Sequence, residues 1–262
     1  MSAAAEAEHA YGPRVRILSN PFLATALARL SSTNTAQLEL LGLVRTVYTG
    51  LLIAALEREF PCVQAEIETR MAPVHGAAGV WRGEALDPAV GVVVCDVVRA
   101  GIVPAQVCFE LLLQVLPSAQ VRLDHVNVAR RAGLDGRVEG AELLGSKIGG
   151  SAAGKLLILP DPMGATGATT QRVLDHYMEF HGRPAAILAL PMIATPEYLR
   201  AVLAHDPALR VVAARLDRGL SPPAVLRALP GVRWDEERGL DETGYIVPGA
   251  GGLGEVLNNA WC

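Results

Sequence analysis

Asp161 closes the apolar run of residues 156–160, and Pro162, Met163, Gly164, Ala165, Thr166, Gly167, Ala168 and Thr169 follow it before helix-like sequence begins. Small side chains let backbone N–H groups approach an anion closely, and the start of a helix adds the positive end of its dipole. Thr166 and Thr169 can donate further hydrogen bonds to phosphate oxygens. Asp161, at the carboxyl end of a strand, is placed to accept hydrogen bonds from sugar hydroxyls. The combination suits a sugar-phosphate ligand. The turn has no Gly-Lys-Ser/Thr ending, so it is not a Walker loop, and it is not G-x-G-x-x-G. Taken alone, it would serve equally well as a packing device between strand and helix.

The elements that must hold this turn can be read from periodicity. Residues 21–30 and 35–60 have helical spacing; Leu38, Leu41, Val44, Val47 and Leu51 recur every three or four positions. Residues 61–86 read as a small hairpin or irregular flap. From Ala89 onward strands and helices alternate, with strands at 90–98, 121–128, 156–159, 185–193 and 211–216 and helices at 103–116, 170–180 and 197–205. Residues 129–152, rich in glycine and charge, read as a loop or flap. The expected fold is α/β: a mostly parallel sheet flanked by helices, with N-terminal helices and a small flap. Ligands of such sheets bind at the carboxyl ends of the strands, where Arg99 and Asp161 both fall. Residues 1–13 read as a flexible tail and 14–262 as one domain.

Composition narrows the function. Apolar residues make up 51 % of the chain and aromatics 5 %, which fits an α/β enzyme better than an aromatic surface for RNA. Net charge is −4, from 23 Lys+Arg against 27 Asp+Glu, with no basic run, so nucleic acid is not an expected partner. Cys62, Cys95, Cys108 and Cys262 show neither a C-x-x-C pair nor metal-type spacing. Cys95 and Cys108 read as buried thiols. No run approaches the roughly 18 uncharged apolar residues of a membrane span, and the N-terminus lacks an apolar signal core. A cytoplasmic protein with no membrane partner is expected.

Four blocks, with a short Pro-Ser-Ala match after the first, carry a resemblance. Residues 97–101, ending Arg99-Ala100-Gly101, match a Leu-Arg-Ala-Gly turn, and Pro117-Ser118-Ala119 matches a Pro-Ser-Ala. Asp161 to Thr169 matches a loop with a distinctive Asp-Pro-Met start. Residues 193–197 match a strand end reading Ala-Ala-Pro-Glu, and Gly244 to Gly249 matches Gly-Tyr-Ile-Ile-Pro-Gly. Over residues 20 to 255 the chain resembles the uracil phosphoribosyltransferase family. The resemblance implies transfer of the 5-phosphoribosyl group from 5-phosphoribosyl-1-pyrophosphate (PRPP) to uracil, giving UMP and pyrophosphate. It implies Mg2+, held mainly through PRPP, with no residue assigned as a certain metal ligand. Arg99 and Asp161 would be the catalytic pair. PRPP would be bound by Arg99, Arg130 and the turn Asp161, Pro162, Met163, Gly164, Ala165, Thr166, Gly167, Ala168 and Thr169. If the register slips by one, Arg131 replaces Arg130; Lys147 is a weaker candidate in the flap. Tyr245, Ile246, Gly251, Gly252 and Leu253 would line a pyrimidine base, read by main-chain groups. A homo-oligomer, dimer or higher, is implied, with the apolar helix of residues 37–55 as a candidate partner surface.

The chain also departs from that pattern. Gly252 stands where the family carries an aspartate, and Glu255 where it has a later acid. Residues 217–220 and 237–240 both resemble a single family stretch, so about 217–236 reads as an insertion. It would cover the base pocket, form a subunit contact or be a tolerated surface loop. The expected alternatives to uracil transfer are a modified pyrimidine or other heterocycle as acceptor, or a non-catalytic PRPP- or nucleotide-binding regulator.

Overall fold

The computed structural model describes residues 5–132 and 138–260, side chains at 130–132 and 138–139 excepted. The chain opens with β1 (Val15–Ile17) and the helices α1 (Pro21–Leu30) and α2 (Gln37–Glu59). A hairpin of β2 (Cys62–Glu68) and β3 (Val80–Leu86) follows, with the short α3 (Ala72–His75) at its tip. Then come β4 (Val92–Val98), α4 (Ile102–Val115), β5 (Val121–Ala132), β6 (Val138–Lys147), β7 (Leu156–Leu159), β8 (Met163–Gly164) and α5 (Ala168–Phe180). The remainder is β9 (Ala186–Ala189), β10 (Ile193–Ala194), α6 (Pro196–His205), β11 (Leu209–Ala213), β12 (Arg215–Leu216), α7 (Pro223–Leu226) and α8 (Leu253–Val256).

Seven strands form the central sheet in the order β1-β11-β9-β7-β4-β5-β6, parallel except for the β5–β6 pair. Its middle strands are buried on both faces. Val92, Val93 and Val94 are fully enclosed, as are Leu157 and Ile158, which is why these segments read as unbroken apolar runs. One face packs against α1, α2 and α4, the other against α5 and α6. Helix starts are set locally. Asn20 accepts hydrogen bonds from the backbone N–H of Phe22 (2.9 Å) and Leu23 (3.2 Å), and Thr195 caps α6 through Tyr198 N–H at 3.0 Å. A proline follows each cap, as the first helical turn permits.

Three strands do not stop where the main sheet ends. Beyond β7, β9 and β11 the chain breaks briefly and resumes as β8, β10 and β12, a second, three-stranded parallel sheet. The expected strands 185–193 and 211–216 are thus each two strands. Pro160, Pro162 and Pro191 mark two of the breaks, where a missing N–H interrupts the ladder. The second sheet carries the backbone beyond the core edge, toward the sequence blocks at 161–169 and 193–197.

Other differences from expectation have physical reasons. Within 129–152, expected as a loop or flap, β5 runs on to Ala132 and pairs with β6, so much of it is a hairpin with register shifts after Asn127 and Arg131. Residues 5–13, expected as a flexible tail, pack on the body: Glu6 pairs with Arg16 (2.6 Å) and Arg58 (3.1 Å), and buried Tyr11 donates to Glu237. By length and composition α2 would suffice to cross a membrane. It carries Glu39 and Arg45, however, and Val44, Val47, Tyr48 and Leu51 lie in the core between α1 and α4. Cys95 and Cys108 are buried, and burial pushes both thiols up.

Residues 217–236, expected as an insertion, leave and return through one neck. Leu220 N–H donates to Arg238 O at 3.0 Å, and Arg238 N–H to Ser221 Oγ at 2.8 Å. Inside, Arg218 pairs with the buried Glu237 at 2.8 Å, and Trp234 packs edge-on to Tyr11.

A buried carboxylate ties the helices to the sheet. Asp124 on β5 receives Arg122 through Nε (2.9 Å) and Nη2 (3.0 Å), the Tyr177 hydroxyl of α5 (2.9 Å) and Gly149 N–H (2.9 Å). Removing it takes away the acceptor of the phenol and of Gly149 N–H, and leaves the arginine only the carbonyls of Gly150 and Ser151. Asp124→Ala is expected to destabilise the protein by about 3 kcal/mol or more, read as a lower denaturation midpoint; Tyr177→Phe should cost about 1–2 kcal/mol.

Candidate active site

The carboxyl edge of the sheet opens into one cavity of about 550 Å3. Three groups of residues face it. Val97 to Ala100 come from the end of β4, Asp161, Met163 and Ala165 to Thr169 from the turn after β7, and Gly244 to Ile246 with Gly251 to Glu255 from the C-terminal segment. These are three of the sequence blocks, brought together from positions some 150 residues apart.

The turn after β7 is built as a cradle. Asp161 Oδ1 accepts from Met163 N–H at 3.3 Å, which bends the chain back, and Thr166 Oγ1 accepts from Ala168 N–H at 3.3 Å. Gly167 begins α5 with φ +85°, the left-handed region, and a Cβ there would lie 3.0 Å from that of Ala201 on α6. Only glycine satisfies both the dihedral and the close helix approach. Thr166 to Thr169 then present the first turn of a 13-residue helix to the cavity, with its N–H groups and dipole end. Pro162 and Gly164 are buried behind this surface and do not line it.

Arg99 follows β4, across a Val98–Arg99 peptide bond that is cis. Its Nη2 lies 3.9 Å from Glu255 Oε1, both side chains being 37 % exposed. Ahead of it, Asp96 is buried, with Oδ2 2.8 Å from His125 Nδ1. Burial raises the Asp96 pKa, and the His125 partner acts against that rise.

The third wall is held from behind by a network that sequence reading missed. Arg215 makes a two-pronged pair with Asp217 (2.7 and 2.8 Å) and donates to Gly249 O at 3.0 Å; Gly249 N–H donates to Asp217 Oδ2 at 2.8 Å. Gly249 has φ +61°, and a Cβ there would run into the Ile246 carbonyl oxygen. The cue was in the sequence: Arg215 and Asp217 are spaced i, i+2 on a strand end, so both point to one face. Asn127 and Tyr198 also line the cavity and were not anticipated. Tyr198 hydrogen-bonds Thr170 Oγ1 at 3.3 Å; burial pushes its phenol up, against the Thr170 bond and with a smaller push from Asp161.

The remaining expected residues fall as follows. Tyr245, Ile246, Gly251, Gly252 and Leu253 all line the cavity. Arg130 sits on β5 with its side chain outside the described residues, as does that of Arg131. Lys147 pairs with His125 across β5 and β6 and does not line the cavity. Among the described residues, none of 217–236 lines it either.

The family model for uracil phosphoribosyltransferase matches residues 17–233. The chain belongs to the uracil phosphoribosyltransferase family. It is 28 % identical over 243 residues to the uracil phosphoribosyltransferase of Pyrobaculum islandicum, covering 92 % of this chain and 97 % of the relative. It is 29 % identical over 245 residues to that of Geobacillus kaustophilus, covering 93 % and 97 %. Among solved structures, the AQ2163 protein from Aquifex aeolicus superimposes with a TM-score of 0.70 at 21 % identity, over 93 % of this chain and 97 % of that one, and so shares the fold.

Gly249→Ala tests the third wall. Strain in the left-handed region and the clash with Ile246 should destabilise the protein by more than about 1 kcal/mol, seen in denaturant melts. Asp217→Asn, which keeps the shape, should cost less while loosening hydrogen-exchange protection at Gly249.

Proposed function

We propose that the chain transfers the 5-phosphoribosyl group of PRPP to uracil, giving UMP and pyrophosphate. The observation that carries this reading is the convergence of Arg99, the Asp161–Thr169 cradle and the Tyr245–Leu253 segment on one cavity. Each has a distinct task. The N–H groups and hydroxyls of Thr166 to Thr169 take the 5-phosphate, Asp161 accepts from the ribose hydroxyls, and Arg99 meets the pyrophosphate. Ile246, Gly251, Gly252 and Leu253 offer main-chain donors and acceptors to the two carbonyls and the N3–H of uracil.

The reaction needs charge stabilisation more than a nucleophilic side chain. As pyrophosphate leaves, C1 of the ribose becomes oxocarbenium-like and the leaving group gathers negative charge. Arg99 offers a forked donor set matched to phosphate oxygens. Met163 and Ala165, with the partly buried turn around them, keep bulk water from the reacting carbon.

The donor set suits Mg2+ bound chiefly through substrate. Among the described residues no cluster of three metal-ligating side chains exists, and the cavity offers the carboxylates of Asp161 and Glu255. Magnesium retains waters and leans on phosphate oxygens, so one carboxylate suffices; Asp161 would hold it. When bound, it would neutralise pyrophosphate charge.

We also propose a homo-oligomer. The β2–β3 hairpin exposes Ile67, Met71 and Trp81, and a two-stranded ribbon gains stability when covered. Leu38 and Ile53 are exposed on the outer face of α2. Ile67→Asp should lower the mass seen in sedimentation; an unchanged mass would shift the contact to α2.

The direct test is product formation from PRPP and Mg2+ against a panel of heterocycles, followed by mass spectrometry. UMP from uracil is the expected result. Product with a different heterocycle alone would make the chain a transferase of changed specificity, and PRPP binding without turnover would make it a regulator. Asp161→Asn should lower kcat by at least about 100-fold; an unchanged rate would remove Asp161 from the site.

A further inference from the structure

Gly252 is not required by its backbone. Its φ of −75° is open to any residue. What it provides is space, because a Cβ at 252 would lie 2.6 Å from Oε2 of Glu255. The glutamate carboxylate therefore folds back over the glycine and fills the volume that a side chain at 252 would occupy. Its other oxygen, Oε1, faces Arg99 Nη2 at 3.9 Å. Glu255 thus spans the boundary between the arginine and the segment assigned to the base.

The chemistry at that boundary calls for a proton acceptor. The ring nitrogen that bonds to ribose loses its hydrogen, and five titratable side chains line the cavity among the described residues: Arg99, Asp161, Tyr198, Tyr245 and Glu255. Arg99 is a cation, and Asp161 is engaged in its own turn through Met163 N–H on the sugar side. Tyr198 is a buried phenol held in its protonated form, and Tyr245 is an exposed one. Glu255 is the carboxylate on the base side.

Resting on the transferase reading above, we propose that Glu255 is the proton acceptor for the ring N–H at which the heterocycle is phosphoribosylated, reaching across Gly252 and held by Arg99 until pyrophosphate takes that arginine over. The ring nitrogen forms its bond to C1 of the ribose. The C1–oxygen bond to pyrophosphate breaks, and its electron pair leaves with pyrophosphate. The ring proton passes to Glu255, which returns it to solvent after product leaves. Arg99 exchanges one anion for another, so the negative charge in the ligand-free site is not left unpaired.

Position 252 and position 255 then become alternative sources of one carboxylate, which makes the test specific. Glu255→Gln keeps the shape and should lower kcat by about 100-fold or more, with Mg2+–pyrophosphate bound as tightly as by the wild type or up to about tenfold tighter. The double variant Gly252→Asp with Glu255→Ala, which clears the space a side chain at 252 needs, should regain about tenfold or more over the single variant Glu255→Ala. A purely structural role would lower the melting temperature of Glu255→Gln and would gain nothing from the aspartate. Glu255→Gln turning over within about threefold of the wild type, or a double variant no better than Glu255→Ala, would overturn the proposal. A wild-type chain that forms no nucleotide with any heterocycle would overturn the transferase reading and this proposal together; an active wild type with an equally active Glu255→Gln overturns this proposal alone.

Discussion

Asp124 sits where α5 meets the sheet, and its burial sets the terms for both. A carboxylate removed from water costs several kcal/mol unless its oxygens are satisfied. Here they receive Arg122, Tyr177 and Gly149. The phenol belongs to α5, so the axis of that helix is fixed against β5 by a bond it cannot cheaply give up. The N-terminus of α5 is the cradle floor. A ligand-free cavity lined by backbone N–H groups keeps its shape because the far end of the same helix is anchored in the core.

The base side of the cavity is made differently. No long helix or central strand runs through residues 239–252; the segment is irregular and is stabilised by side chains that reach out from better-ordered elements. Arg215 and Asp217 grip both the N–H and the carbonyl of Gly249. Gly239 N–H donates to the Glu197 carboxylate of α6, and Val247 N–H donates back to Gly239 O. The excursion of residues 217–236 disturbs this arrangement little because its neck, Leu220 against Arg238, closes before that segment begins. The wall proposed for the donor thus rests on secondary structure, and the wall proposed for the acceptor on a loop held by ion pairs. Such loops tolerate substitution more readily than a helix start does, which fits a glycine at 252 beside an unchanged cradle.

Much of this was legible in the sequence, for a common reason. Strands β4 and β7 are buried on both faces and so read as apolar runs, interrupted only by Asp96; α1 announces itself with Asn20 and Pro21, and the cradle with its run of small residues. The less legible parts depend on distant partners. The β5–β6 hairpin hides in glycine and charge because one of its faces is open to solvent. β1 is three residues long and is a strand only because β11 lies beside it. Tyr11 looked like part of a tail because nothing local says that Trp234 and Glu237 await it. The pairing of Arg215 and Asp217 on Gly249 has no local sign, since that target is more than 30 residues away.

The chain is acidic overall, yet the proposed donor is a polyanion. Net charge governs long-range steering, whereas binding is decided by donors within a few ångströms, where the effective dielectric constant is lower. Among the described residues, the cavity offers one arginine, two threonine hydroxyls and the N–H groups of one helix start, most of them carrying no formal charge. It also places an acid, Glu255, opposite the arginine. That pairing sets one carboxylate against the arginine in the ligand-free site, and on the proposed reading an incoming pyrophosphate displaces that carboxylate from Arg99. On the proposed reading the site favours a ligand that brings its own anion to the arginine and its own N–H to the glutamate, a requirement that a free phosphate or a nucleic-acid backbone meets only in part.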